Sequence, residues 1–408
     1  MTKTELLELL RNGENSGMEF KRDDVENHVL AKEIVAFLNF QGGIVLLGVD
    51  DDGSVRGTTR TNLEEWVVEL CRRKIEPAII PYMSCLKNVE PGKDVLIIRI
   101  PAGPNKPYAR VHNDRRNYFI RVGSTSREAT QEELQRMFQA SGRIQYGMKP
   151  VPGSTMQDMD FRRLKNYFSK VLEIEHPKDN DSNEWERLLL NLELLSDVDG
   201  VMAVTVDGLL LFGKNPAHFL PQSGIRAIAY DSTEPSYAAR EDLEIKGALT
   251  PLYAGDGGII ESGLVEQALE FIRRNTRVQS HLDRGRRVDR LDYPEQVLRE
   301  TIVNALVHRD YSIAGTDIIL EIFVDRLEVT SPGRLPNTAT VEALKIGFRY
   351  ARNQTIVNVM RDYHYVDFRG MGIRYKIIPG MLAHNGTEPD FIETDHSFTV
   401  RLWKEKKQ

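Results

Sequence analysis

The chain has 408 residues, 41% of them hydrophobic and 28% charged, with a formal net charge of −6. That length allows two or three domains, and that balance excludes both a disordered polymer and a uniformly basic, histone-like protein. The only cysteines, Cys71 and Cys85, form no CxxC pair; this excludes a disulfide framework and a thiolate zinc site and makes a reducing cytoplasm the expected compartment.

Thr4 to Arg11 reads as a short helix, and the acids within Met1 to Glu8 stand where a signal peptide carries bases, so no secretion signal is expected. The turn-rich run from Asn12 to Gly17 leads into an alternating strand at Met18 to Lys21. Asn27 to Phe40 spaces Val29, Ile34, Phe37 and Leu38 as a helix does, and Gln41-Gly42-Gly43 stops it. Ile44 to Val49 reads as a buried strand and is far short of the ~20 apolar residues a membrane helix needs, so no membrane partner is expected. Asp50-Asp51-Asp52-Gly53 reads as a tight hairpin turn with a return strand after it. Thr61 to Lys74 is an amphipathic helix, Val95 to Ile100 and Asn117 to Val122 are strands, and Thr130 to Ala140 is a helix with a cap-like start. These elements predict an α+β domain over residues 1–145, ending in the soft stretch from Gly147 to Gly153.

A mixed middle region, 155–290, follows. Asp158 to Val171 and Glu184 to Leu195 look helical, while Val201 to Val206 and Leu209 to Phe212 look like a hairpin joined at Asp207-Gly208. Two helices and a hairpin fit a small winged-helix-like unit. Ile225 to Tyr230 is a further strand, and Ile260 to Thr276 a helix leading into a basic segment. The last region, 291–408, has a helix at Pro294 to His308 and a hairpin at Ile318 to Val324 and Arg326 to Thr330. It continues with helices at Asn353 to Tyr363 and after Gly370-Met371-Gly372, and ends in a strand at Phe398 to Trp403. The whole reads as an α+β multidomain protein.

Three sets of residues carry chemistry. Glu14, Glu19 and an aspartate of the 50–52 run surround one strand together with Lys21. Convergent carboxylates hold Mg²⁺ or Mn²⁺ in metal-assisted phosphodiester cleavage, with a lysine to offset phosphate charge; acids in such loops are more often simply solvated. Residues 106–127 hold Lys106, Arg110, Arg115, Arg116, Arg121 and Arg127 against Asp114, with Tyr108, His112, Tyr118 and Phe119 between them. Bases there neutralise phosphates and aromatics stack unpaired bases, so this segment is the expected nucleic-acid face. A second run, Arg273 to Arg290, holds seven arginines against Asp283 and Asp289 and serves either nucleic acid or an interface. Glu300 and Asn304 lie four apart and share a helix face, with His308 and Arg309 one turn on. The Gly208 to Lys214 run matches the spacing of a phosphate loop, but its middle is large and apolar and Asn215-Pro216 follows, so it reads as a buried strand and a helicase motor is unsupported.

Resemblance to known families sharpens this. Glu14 to Arg22, Ala36 to Asn39, Gln41 to Asp51 and Phe119 to Arg127 occur in order and resemble the Schlafen-type AlbA domain. In RNA-cleaving Schlafens two glutamates and an aspartate form the metal site, and the pattern maps them onto Glu14, Glu19 and Asp51. Leu298 to Ser312, Asp325 to Pro336, Arg352-Asn353 and Arg369 to Ile373 resemble the divergent GHKL-type ATPase module, which is an α/β sandwich. That resemblance implies ATP or another nucleotide with Mg²⁺, held by Glu300, Asn304, Ser331, Gly333, Gly370 and Gly372. Ser331 stands where such ATPases place an aspartate for the adenine amino group, and a neutral hydroxyl accepts that hydrogen bond less strongly. Together the resemblances imply a nucleic-acid effector, RNA favoured and DNA possible. The first reading is a metal-dependent endoribonuclease acting on structured RNA such as tRNA, a homo-oligomer with a role in phage defence or stress. The alternative is a non-catalytic, nucleotide-sensing DNA-binding regulator.

Overall fold

The computed structural model describes residues 2–103, 105–141, 145–276, 278–283, 286–335, 339–348, 351–366 and 372–405; for 132, 139–140, 278–283 and 286–290 it describes the backbone alone. The chain divides into two units, Met1–Ile144 and Gln145–Gln408. Among the described residues no helix is long and apolar enough to cross a membrane.

The first unit runs α1 (Lys3–Asn12), β1 (Met18–Lys21), α2 (Asn27–Asn39), β2 (Gly42–Leu47), α3 (Leu63–Lys74), β3 (Ile75–Glu76), β4 (Tyr82–Glu90), β5 (Lys93–Pro101), β6 (Ala109–His112), β7 (Arg115–Asn117), β8 (Phe119–Val122), β9 (Thr125–Glu128) and α4 (Gln131–Ala140). Its main sheet has the order β1-β2-β5-β4. β1 lies parallel to β2 and the other pairs are antiparallel. Both faces of this sheet are covered. Val45, Leu47, Leu96 and Ile98 pack with α2 and α3 residues such as Ile34, Phe37 and Leu70. Leu46, Val95, Ile97 and Phe20 pack with Leu6 and Leu10 of α1. A strand buried on two faces has no polar alternation, which is why the Ile44 to Val49 stretch is continuously apolar. After β2 the chain turns where the Gly53 N–H donates to the Asp50 carbonyl at 2.8 Å, with Gly53 at φ +83°. The expected return strand is reduced to one bridge, Val49 to Val55. β3-β6-β7 form a small separate sheet, and β8 pairs with β9.

The second unit opens with α5 (Phe161–Asn166), α6 (Ser182–Asn191), β10 (Leu195–Val198), β11 (Val201–Val204), α7 (Val206–Phe212), α8 (Pro216–Phe219), β12 (Ile225–Ala229), β13 (Glu241–Ile245), β14 (Leu252–Tyr253), β15 (Ile259–Glu261) and α9 (Leu264–Asn275). It continues with β16 (Val278–Asp283), β17 (Arg286–Leu291), α10 (Glu295–Val307), β18 (Ile318–Ile322), β19 (Arg326–Pro332), α11 (Val341–Lys345), α12 (Gln354–Asp362), α13 (Ile378–Asn385), β20 (Asp390–Glu393) and β21 (Ser397–Trp403). A six-stranded sheet of order β13-β12-β18-β19-β21-β20 organises it.

Two expectations for the middle region are corrected here. The hairpin is β10–β11, turning at Asp199-Gly200, and Leu209 to Phe212 belong to a helix. A short run of four apolar residues has no period to separate strand from helix. Thr205 decides it: its hydroxyl accepts from the Gly208 N–H at 3.0 Å and caps α7, which is buried along its whole length. Nor is the middle a self-standing winged-helix unit. β12 pairs in parallel with β18, and one apolar core takes in residues from Val151 to Leu402. The expected boundary at 290 therefore falls inside the second unit.

Candidate functional site

In the first unit the acids and Lys21 meet. β1 ends on Lys21, and the turn before β1 brings Glu14 back over it, held where its Oε1 accepts the Phe20 N–H at 2.8 Å. The Lys21 ammonium lies 2.7 Å from Glu19, 3.7 Å from Glu14 and 3.8 Å from Asp51. Asp51 is 84% exposed, whereas Glu19 is 7% exposed. Asp50 is turned away and pairs with Arg22 at 3.2 Å. Burial works against the Lys21 charge, but the hydrogen bond and charge of Glu19, with Glu14 and Asp51, outweigh it and hold its pKa above the ordinary value. Burial raises the Glu14 pKa, and the charges of Glu19 and Asp51 add to it against the Phe20 N–H and Lys21.

A second cation holds Glu19 from behind. Arg121 is wholly buried; it donates to Glu19 at 2.7 Å, to Glu33 at 3.1 Å and to the Asn15 carbonyl at 2.7 Å. Its guanidinium lies over the Phe37 ring at 4.6 Å. This corrects the expectation that Arg121 meets nucleic acid: with no exposed surface it cannot reach a phosphate, and its work is to hold β1 and its turn. Tyr108 and Phe119 belong to the apolar core and are not stacking surfaces. Arg116 pairs with Glu76 at 2.8 Å and Arg127 with Glu133 at 2.7 Å, both at the surface. Arg115 is exposed, and Arg110 packs its guanidinium over Phe119 at 4.7 Å.

The acids carry the hard oxygen donors that Mg²⁺ or Mn²⁺ takes. As they stand they surround an ammonium, and both oxygens of Glu19 are bound by cations. Among the described residues no group of three or more His, Cys, Asp or Glu is arranged to hold a metal ion. The described arrangement therefore does not fit a metal, since Lys21 takes the cation's place.

In the second unit, α10, β19, the start of α12 and the segment after 372 enclose a cavity of about 360 Å³. Glu300, Asn304, Ser331, Gly333 and Gly372 all line it, with Arg334, Arg352 and His308; Gly370 lies outside the described residues. Leu344, Phe348, Val366, Ile373, Phe398 and Val400 supply apolar walls. Asn304 donates to Glu300 Oε1 at 3.2 Å, and Lys376 donates to Glu300 Oε2 at 3.1 Å. The Ser331 hydroxyl gives its proton to the Ala305 carbonyl at 2.9 Å and so offers the cavity only lone pairs. Gly333 has φ +108°, and a Cβ there would stand 2.6 Å from both Arg352 Nη1 and Asp310 Cβ. Gly372 packs directly on the Glu300 carboxylate. His308 is exposed and lines the cavity; the protein around it, then the Arg352 charge, hold its pKa below the usual histidine range. Arg309 is buried and serves structure, donating to the carbonyls of Gln222 and Ile313. Asn353 donates to the carbonyls of Val307 and Arg309 and so satisfies the end of α10. The Gly208 to Lys214 run lies in and just after α7 and forms no phosphate loop.

Sequence reasoning missed Glu33, Arg121's bonds and Lys376. Glu33 had a signal, an acid embedded in the apolar run of α2; Lys376 is 76 residues from Glu300 and had none.

Comparison with known proteins agrees with this architecture. Residues 14–130 match the family model "Schlafen, AlbA_2", so Glu14, Glu19, Lys21 and Asp51 fall inside the match. Residues 315–402 match the family model "Putative ATP-dependent DNA helicase recG C-terminal", an ATPase-like domain; Ser331, Gly333 and Gly372 fall inside it, and Glu300 and Asn304 before it. No curated protein matches. Of solved structures, the DIP2311 protein from Corynebacterium diphtheriae is similar at 19% identity over 98% of this chain and 80% of its own, with a TM-score of 0.45. The N-terminal domain of a RecG-related protein from Nitrosomonas europaea is similar at 24% identity over 32% of this chain and 94% of its own, with a TM-score of 0.25. The chain thus joins a Schlafen AlbA domain to an ATPase-like domain, the make-up of a nucleic-acid-associated protein.

Proposed function

We propose that this protein is a nucleic-acid-binding effector that cleaves structured RNA in its first unit, governed by a nucleotide bound in its second. One observation carries the reading: Glu14, Glu19 and Asp51 all lie within 3.8 Å of the Lys21 ammonium. In such a site Lys21 offsets the charge of the scissile phosphate. Glu14, whose pKa burial raises above the ordinary carboxylate value, is the acid suited to take and return a proton.

The cavity of the second unit suits a nucleotide: apolar walls for a base, and Arg334, Arg352 and Gly333 for phosphates. Ser331 accepts a base N–H there as a neutral group. Lys376 holds Glu300, the residue placed to orient water, so binding is expected to be stronger than turnover.

The test is incubation of purified protein with total tRNA, with and without Mn²⁺ and nucleotide, beside Glu19→Ala and Asp51→Ala. Discrete fragments from the wild type alone establish the nuclease. Metal-free cleavage assigns the chemistry to Glu14 and Lys21, and a strict requirement for Mn²⁺ overturns that assignment. A second reading, a DNA-binding regulator without cleavage, is favoured by the ion pairs that already engage both oxygens of Glu19. Salt-sensitive retention of DNA with intact RNA in every lane establishes that reading instead.

A further inference from the structure

The first unit has a second polar cluster, built from residues the acid site does not use. His28, near the start of α2, and His112, the last residue of β6, face each other with ring centroids 5.1 Å apart and planes 32° apart. β6 is the middle strand of the β3-β6-β7 sheet. Arg110, two residues before His112, shares its face, and Arg115 is paired across from it on β7. Lys74, the last residue of α3, directly precedes the β3 residue Ile75 that pairs with Arg110.

The surrounding charges are unbalanced. Glu26 lies 3.0 Å from His28 Nδ1 and is the acid that opposes the cluster; Lys32 of α2 is occupied with Glu33 at 3.6 Å. Arg116 and Glu76 pair with each other. Arg110 gives one N–H to Asn117 at 3.3 Å, while its buried Nε has no hydrogen-bond partner among the described residues. Loss of solvent, then His28, Arg110 and Lys74, together depress the His112 pKa. The cluster is therefore short of an anion, and a phosphate is the group that would let both imidazoles carry a proton.

We propose that His28 and His112, flanked by Lys74, Arg110 and Arg115, form a proton-gated seat for the phosphodiester backbone of nucleic acid. The proposal rests on the nucleic-acid reading above and adds the place and the pH dependence of binding. At pH 8 the arginines and Lys74 bind alone. A bound phosphate favours the charged rings, so binding takes up protons and tightens as pH falls. Each added imidazolium–phosphate contact also releases a counterion and steepens the salt dependence by about one unit of slope.

The experiment uses the full chain and fluorescein-labelled single-stranded RNA and DNA 20-mers, read by anisotropy from pH 5.5 to 8. Wild type is expected to bind roughly tenfold more tightly at pH 5.5 than at pH 8. His28→Gln with His112→Gln is expected to bind as wild type at pH 8 and to gain less than about twofold on acidification. His112→Arg, which carries one of the two charges permanently, is expected to bind at pH 8 about threefold more tightly than wild type and to gain less on acidification. Parallel pH profiles for wild type and the double variant overturn the proposal and leave nucleic-acid binding standing. Equally tight, pH-dependent binding of polyglutamate also overturns it, in favour of an acidic protein partner. Absence of oligonucleotide binding by wild type at every pH removes both this proposal and the reading it rests on.

Discussion

Glu19 in the first unit and Glu300 in the second are both buried and both paired with a lysine, at 2.7 Å and 3.1 Å. Their surroundings differ. Glu19 is held from two sides by cations, Lys21 and the fully buried Arg121, with Glu33 completing a network of alternating charge. Glu300 has Asn304 and Lys376 at one end of a cavity whose other walls are apolar. The first arrangement is electrostatic, a run of alternating charges that reaches solvent at Asp51. The second is a container, with a small polar end and room for a planar, uncharged group. An ion pair alone therefore does not identify a site; the dielectric and the space beside it do.

The largest effect expected from breaking this contrast is at Arg121. Arg121→Met leaves buried Glu19 with Lys21 alone and Glu33 with Lys32 alone, which costs up to about 3–5 kcal/mol. Calorimetry of the full chain is expected to show the transition of the first unit lowered and that of the second unchanged. Equal shifts in both transitions, or none, would sink the view that the network belongs to the first unit alone. Next comes Gly333→Ala. Its positive φ and the 2.6 Å approach to Arg352 Nη1 and Asp310 Cβ predict a loss of about 1–3 kcal/mol. Binding of a fluorescent nucleotide is expected to weaken with it, while any RNA cleavage seen with wild type in the absence of nucleotide is expected to be unchanged. Lys376→Met probes the cavity's polar end: it removes the ammonium from Glu300 Oε2 and is expected to raise nucleotide turnover several-fold with affinity little changed. A fall in turnover would instead make Lys376 part of the reacting group's environment.

The sequence made the two constellations legible to different degrees. Glu14 and Glu19 lie on one strand and the turn before it, so local spacing already put them with Lys21, whereas Asp51 arrives from the turn after β2. Glu300 and Asn304 were visible as a helical pair, and Ser331, Gly333 and Gly372 entered through resemblance to a known module. What escaped were facts of long range. A count of bases over 106–127 could not show that Arg121 is spent on acids 88 and 102 residues away, or that Phe119 is in the core. Leu209 to Phe212 carry no period, and only the Thr205 cap marks them as helix. β12 looked like part of a small middle domain because its partner β18 comes about 90 residues later in the chain.

The smallest expected effect concerns a buried acid with no ion pair among the described residues. Asp207 in α7 is buried, and its Oδ1 has no hydrogen-bond partner among the described residues. Burial, with Glu193 adding to it, pushes its pKa up to about 7. The native state therefore keeps a proton that the unfolded chain has released above about pH 4. Stability is greatest below the unfolded pKa, falls as pH rises toward the folded one, and levels off above it. The rate of fall approaches about 1.4 kcal/mol per pH unit, so between pH 6 and 7, where ordinary carboxylates no longer titrate, about 1 kcal/mol or less is at stake. Asp207→Asn is neutral throughout and is expected to flatten this part of the curve for the second unit, read by denaturant unfolding at pH 5, 6, 7 and 8. The first unit, whose Glu19 has its charge met by Lys21 and Arg121, provides the internal control: its transition should not respond to the substitution. Identical pH curves for wild type and variant would mean that Asp207 is ionised with a cation beside it, and that the second unit deals with buried charge as the first does.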